Sequence, residues 1–244
     1  MALRKKDEMW LRGSLLCLAL AVWAAPAGAY VVQGESIPGL LGTTWTNKTP
    51  TSMLSVSSYS DSLASGGSAL RIVDISTSGG DDGKLIYMTT AAGALNGTAT
   101  AVIRVRTNYD STFSDTFNRC LILSFIVGPT HGTIRRAIGL AIKLHDAAIV
   151  NNTGGTYYNG PIAGDNSDYV TWTIVARDYG WKFDLYRNGV KVIDNWDNGS
   201  QSEGSIGATD GLSIAASSSN GTGTVIIDWV AYKAGEDPTW NPVP

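Results

Sequence analysis

From Tyr169 to Asp194 the chain reads YVTWTIVARDYGWKFDLYRNGVKVID, and this stretch limits the fold more than any other. Val170, Trp172, Ile174 and Ala176 alternate with Tyr169, Thr171, Thr173, Val175 and Arg177. A two-residue period gathers the first set on one face of a strand, whereas a helix scatters it around its circumference. Trp181, Phe183 and Leu185 alternate in turn with Lys182, Asp184 and Tyr186. Asn188-Gly189 follows, the pair that supplies both positive-φ residues of a type I′ hairpin turn. Three antiparallel strands joined by tight turns are therefore predicted. The set opposite Trp172 is a mixed surface, open to solvent or to a ligand.

The remaining sequence repeats the pattern. Short apolar or alternating runs predict strands at Met53–Ser57, Ser68–Ile75, Lys84–Thr90, Thr98–Thr107, Cys120–Val127, Arg136–Leu144, Ala147–Asn151, Leu212–Ser217 and Thr224–Tyr232. Turn formers separate them, among them Ser65-Gly66-Gly67, Asn96-Gly97, Gly154-Gly155 and Asn220-Gly221. No amphipathic helix is evident after Tyr30. Many short strands at regular spacing predict an all-β fold, a two-sheet antiparallel β-sandwich of the jelly-roll kind. Phase assigns Ala99, Ala101, Ile103 and Val105 to the core and sends Arg104 and Arg106 out together on the other face. Ile138, Leu140, Ile142 and Leu144 form a second core stripe, backed by the small row Ala137, Gly139, Ala141. His145-Asp146 turns that strand into the next, and Trp172 and Trp229 fall on core positions.

The N-terminus has the form of a secretory signal. Arg4, Lys5, Lys6 and Arg12 precede the apolar run Ser14–Ala25, and Ala27-Gly28-Ala29 is a small-residue cleavage pattern. Residues 1–29 are thus expected to be removed, leaving a sandwich domain over 30–236 and a proline-punctuated tail over 237–244 that has no need of order. A secreted or cell-surface protein with no membrane contact after cleavage is the corresponding expectation. The formal net charge of −3, without a Lys/Arg run, argues against nucleic acid as a partner. Removing the signal leaves Cys120 as the lone cysteine, inside an apolar strand, so no internal disulfide holds the core.

WTIVARDYGWKFDLYRNGVKV resembles the strand–strand–hairpin block of concanavalin A-like lectin/glucanase domains, laminin-G-like jelly rolls of exported proteins. Ile227-Asp228-Trp229-Val230-Ala231-Tyr232 is similar to the closing strand of that superfamily. The likeness spans roughly Ser68 to Tyr232 in strand order and is specific only in these two blocks. It implies a jelly roll. Function is open, because the superfamily includes lectins, glucanases, lyases and adhesion modules. In glucanase-like relatives the closing-strand Asp helps hold a structural calcium near the N-terminal strand, which implies a calcium site at Asp228, with Glu35 near it.

Catalytic signatures are wanting. Retaining glucanases place two carboxylates on one strand face as Glu-x-Asp-x-x-Glu, a motif absent from this sequence. The Arg-Thr-Glu-Leu-Arg and Gln-Ile-His strands of jelly-roll polysaccharide lyases are absent as well, although Arg104 and Arg106 share a face. His131 and His145 form no zinc motif. Asp/Asn loops such as Asp165-Asn166-Ser167-Asp168 fit turn chemistry before calcium chemistry. Sugar binding needs aromatic platforms and polar groups in rim loops. Tyr157, Tyr158, Trp196 and Tyr109 are the candidate platforms, Tyr157-Tyr158 foremost because they sit in a long polar loop, and Arg104 and Arg106 are candidate polar contacts.

The sequence therefore reads as a secreted, non-catalytic carbohydrate-binding module whose partner is a polysaccharide or glycan. One alternative is a polysaccharide lyase or hydrolase whose site is unfamiliar. Another is a self-associating surface or filament protein, for which Tyr30-Val31-Val32-Gln33 would be a free donor strand.

Overall fold

The structure, a computed structural model, describes residues 29–37, 45–47, 54–74, 83–90, 98–109, 119–126, 137–150, 161–197, 211–218 and 223–242. Within them the chain forms strands β1 (Tyr30–Gln33), β2 (Trp45–Asn47), β3 (Leu54–Ser60), β4 (Ser68–Asp74), β5 (Gly83–Thr90), β6 (Ala99–Thr107), β7 (Arg119–Ile126) and β8 (Ala137–Ile142). β9 (Asp146–Val150), β10 (Ile162–Ala163), β11 (Val170–Arg177), β12 (Lys182–Arg187), β13 (Val190–Asp197), β14 (Gly211–Ser218) and β15 (Gly223–Ala234) complete them. Two single 3-10 turns, Gly34–Ser36 and Asp178–Gly180, are the only helical segments among the described residues.

The strands pair into two antiparallel sheets. The first is eight-stranded, with the order β13-β12-β11-β6-β15-β4-β3 and with β1 also paired to β15. The second is seven-stranded, β10-β9-β8-β7-β14-β5-β2. Inward side chains of both sheets fill one core. From the first come Ala101, Ile103, Val105, Val170, Trp172, Ile174, Phe183, Leu185 and Ile227, and from the second Ile138, Leu140, Ile142, Ile149 and Ile214. The alternation of β6, β11 and β12 thus marks the face buried between the sheets. At the hairpin, Asn188 and Gly189 have φ values of 48° and 77°, as the Asn-Gly pair requires.

Several expectations change. Trp229 is fully buried, but on the outside of the first sheet, with Val102, Ala231, Val31 and Trp240. A register shift between Ile227 and Trp229 is the cause. The extra residue, Asp228, interrupts the alternation, so Val230 and Tyr232 take the inward places. The segment Tyr30–Gln33 is not a free donor strand. It is β1, paired in register with Trp229–Tyr232. The tail is also built in as far as Trp240. Thr100 Oγ1 donates to the Gly235 carbonyl at 2.8 Å and accepts the Asp237 N–H at 3.0 Å. Lys233 pairs with Asp237 at 2.6 Å and lies 4.8 Å from the Trp240 ring. This outer packing leaves Thr173 and Val175, read as open surface, buried instead. β8 ends at Ile142, so Leu144 leaves the core stripe and only half-buries.

Candidate functional site

The first sheet's outer face carries the densest polar chemistry among the described residues. β6 sends Arg104 and Arg106 outward as expected, and each meets a carboxylate. Arg106 Nη2 lies 2.7 Å from Asp61 Oδ2, and Arg104 Nη1 is paired with Asp228 Oδ2. Tyr169, the residue before β11, stands between the pairs. Its ring centroid is 4.4 Å from the Arg104 guanidinium carbon and 5.2 Å from that of Arg106. Its hydroxyl donates to Asp61 Oδ2 at 2.7 Å.

Both carboxylates are anchored by the short β3–β4 loop. Asp61 also accepts the Leu63 N–H at 3.0 Å, an Asx-type turn of the kind aspartate forms locally. Asp228, aimed outward by the β15 bulge, accepts the Ser65 N–H at 2.9 Å and the Ser65 hydroxyl at 2.8 Å. Burial tends to raise the Asp61 pKa, but the Tyr169 hydroxyl, the Leu63 N–H and the Arg106 cation outweigh it and hold it below the ordinary carboxylate value. Burial and the bond to Asp61 push the Tyr169 phenol well above its ordinary value. Neither group changes protonation near neutral pH, so this pair does not suit proton transfer.

Beside these ion pairs lies an open cavity of about 310 Å³. Its floor is a row across three strands, in which Arg71 of β4 is in register with Ile226 of β15, and Ile226 with Arg106 of β6. Tyr59, Asn108, Ser167 and Thr224 complete most of the wall. The Arg71 guanidinium carbon is 5.5 Å from the Tyr59 ring centroid, and no described carboxylate pairs with it. Arg106 Nε is buried without an acceptor.

A second charged cluster occupies the outer face of β11–β13. Asp184, 1% exposed, accepts from Arg177 Nη2 at 2.5 Å, the Asn195 N–H at 2.6 Å and the Tyr186 hydroxyl at 3.2 Å, with Lys191 Nζ at 3.0 Å. Burial alone would raise its pKa, yet Arg177, the Asn195 N–H and Lys191 hold it well below the ordinary carboxylate range. A lowered folded-state pKa contributes stability that is complete above the unfolded value, about 3.9, and is lost as pH falls below it. Asp61 and Asp237 are lowered in the same direction. The melting temperature is therefore expected to hold from neutral pH to about 5 and then to fall steeply below about 4. Asp184→Asn should melt below wild type at neutral pH, with the gap narrowing toward pH 2; a gap that stays constant in acid would contradict this.

Among the described residues, the sequence-derived site residues do not converge. Tyr157 and Tyr158 lie outside the described residues. Tyr109 is no exposed platform; it is 1% exposed, with its ring packed over Gly223, where a Cβ would stand 2.5 Å from Tyr109 Cδ1. Trp196 half-buries against the sandwich core from β13, and its ring nitrogen is enclosed. Arg104 is held by Asp228 and by the Leu63 carbonyl at 3.2 Å, and of the four described candidates only Arg106 lines the cavity. Nor does Asp228 present free oxygens for a calcium ion beside Glu35. The oxygens of Asp228 already receive Ser65 and Arg104, so a guanidinium stands where a cation would bind. No cluster of three metal-ligating side chains occurs among the described residues. In the Asp165–Asp168 loop turn chemistry prevails. Asp165 Oδ1 accepts the Ser167 N–H at 2.9 Å, and buried Asn166 donates to the Lys143 and Asp146 carbonyls at 2.6 and 3.2 Å.

Tyr59, Arg71, Asn108 and Tyr169 were not singled out by sequence. Phase alone puts Arg71 outward, opposite Leu70 and Ile72. Its nearness to Arg106 depends on β15 lying between β4 and β6, and no local signal reports that.

No family model matches the chain, and no curated protein matches it by sequence. Solved structures do match. The carbohydrate esterase vb_24B_21 from the Shiga toxin-encoding bacteriophage phi24B superposes with a TM-score of 0.58 at 16% identity, covering 85% of this chain and 100% of that one. A protein of unknown function from Shewanella oneidensis MR-1 gives 0.56 at 15%, covering 87% and 88%. The endo-beta-1,4-glucuronan lyase of the fungus Trichoderma reesei gives 0.55 at 13%, covering 87% and 99%. At such identities the likeness speaks to fold alone, and the fold is a two-sheet antiparallel β-sandwich of the jelly-roll kind.

Proposed function

We propose that this chain is a secreted, non-catalytic carbohydrate-binding module whose glycan site includes the cavity between Tyr59, Arg71 and Arg106. The observation that carries the reading is the cavity's wall. An aromatic ring, two guanidinium groups, an amide and hydroxyls surround about 310 Å³ of open space, the mixture that hydroxyl-rich ligands require. The names of the matching structures, an esterase and a glucuronan lyase, point to the same ligand class. Absence of catalysis is favoured by the ion-paired state of Asp61 and by a Tyr169 phenol held protonated. The Tyr157-Tyr158 loop is proposed as a further contact.

The test is a glycan array and polysaccharide pull-down with the mature chain from Tyr30, with and without calcium, followed by product analysis on each hit. Binding without new reducing or unsaturated ends is the expected result. Release of such ends would replace this reading with the enzyme, and silence across the panel would remove carbohydrate altogether.

A further inference from the structure

We infer that the cavity selects acidic glycans, seating the anionic group of a sugar, a uronate carboxylate or a sulfate ester, on Arg71 and Arg106. This deepens the carbohydrate-binding reading and rests on it. The charge count of the outer face comes first. Arg104 and Arg106 are neutralised by Asp228 and Asp61, while Arg71 faces no described carboxylate, so among the described residues the cavity carries one uncompensated positive charge. That charge stands out on a chain whose net charge is −3.

The hydrogen-bond count agrees with it. Arg106 commits Nη2 to Asp61 but leaves a buried Nε–H without an acceptor. A buried donor left unmade is costly, and an anionic oxygen is its strongest partner. Arg71 and Arg106 stand two strands apart, roughly 10 Å between backbones at the usual strand spacing, with Ile226 as the floor between them. Side chains as long as arginine converge easily over that gap. Tyr59 lies close to the Arg71 guanidinium and restrains it. Asn108 spends its carbonyl oxygen on the Thr224 N–H at 2.6 Å, which leaves its NH2 as one more donor at the rim. Guanidinium groups offer donors only, and Asn108, whose oxygen already accepts from Thr224, presents its NH2. A neutral sugar entering here would strip water from Arg71 and return no counter-charge, so selection against neutral glycans follows from the same residues.

Native affinity electrophoresis of the mature chain tests this, in gels containing polygalacturonate, dextran sulfate or neutral dextran at about 0.15 M salt. Retardation by an anionic gel and not by dextran is expected, weakened about 10- to 100-fold in Arg71→Ala. The melting temperature of that variant should stay close to wild type, because the Arg71 guanidinium makes no ion pair or side-chain hydrogen bond among the described groups and lies only beside the Tyr59 ring. Retardation by polygalacturonate alone assigns a carboxylate, and by dextran sulfate alone a sulfate ester. Anionic binding that Arg71→Ala leaves intact overturns the inference. Retardation by neutral dextran alone overturns it too, while sparing the carbohydrate reading. Retardation by none of the three also overturns it, and the broader reading then stands or falls on the glycan panel.

Discussion

Gly34→Ala is expected to destabilise the protein by about 3 kcal/mol or more, and to leave it unfolded if its total stability is ordinary. Gly34 is buried at the start of the 3-10 turn after β1. A Cβ there would stand 2.8 Å from the Leu70 N atom and closer still to the Ile227 carbonyl oxygen. These are backbone atoms of one registered pair between β4 and β15, two neighbouring strands of the first sheet. Neither can yield without breaking the ladder. Gly66 is the proper control, because a Cβ at Gly66 meets only the mobile end of the Gln33 side chain, 2.6 Å from Nε2. Urea midpoints of the two variants give the comparison. Equal losses would refute the claim that the ladder at Leu70 and Ile227 makes the difference.

Asp228→Ala is expected to cost about 2–4 kcal/mol, since removing one member of a buried pair strands the other. Three donors lose their acceptor at once, namely the Ser65 N–H, the Ser65 hydroxyl and Arg104. Asp228 is fully buried, whereas the Arg104 side chain is 26% exposed, which lets the cation reach water and places the cost below the largest recorded for such pairs. The double variant Arg104→Ala/Asp228→Ala should lose less than the sum of the single ones. Calcium and chelators should both leave the wild-type melting temperature unchanged. A calcium-dependent rise would return Asp228 to the role of metal ligand.

Fold class was readable because two signals were local. The alternation of Val170, Trp172, Ile174 and Ala176 reports a half-buried strand directly, and Asn188-Gly189 reports a turn within two residues. β2 and β10 escaped notice for the opposite reason. They are 3 and 2 residues long, too short for a period to show, and each exists because a longer partner strand is present beside it. Trp229 was assigned to the core because alternation was carried straight through Asp228, and a bulge is invisible to phase counting. Of the candidate site, the outward pair Arg104 and Arg106 was legible from β6 alone. Their partners Asp61 and Asp228 lie 45 and 124 positions away along the chain, and Arg71 joins them only through sheet order. Tyr109 follows an exposed-looking Asn108, but its burial comes from Gly223, a contact across the fold.

Sheet order also sets when the molecule can close. β14 lies between β7 and β5, and β15 between β6 and β4, so each sheet keeps an open slot until nearly the last residues are available. Without residues 211–234, four strand edges face empty space and the two halves of each sheet have nothing to join them. The final strands act as keystones, and a growing chain has no stable half-built form to rest in. Pairings across such long separations are slow to find, and open edges in the meantime invite association with other chains. Folding of this jelly roll is in effect postponed until β14 and β15 are in hand.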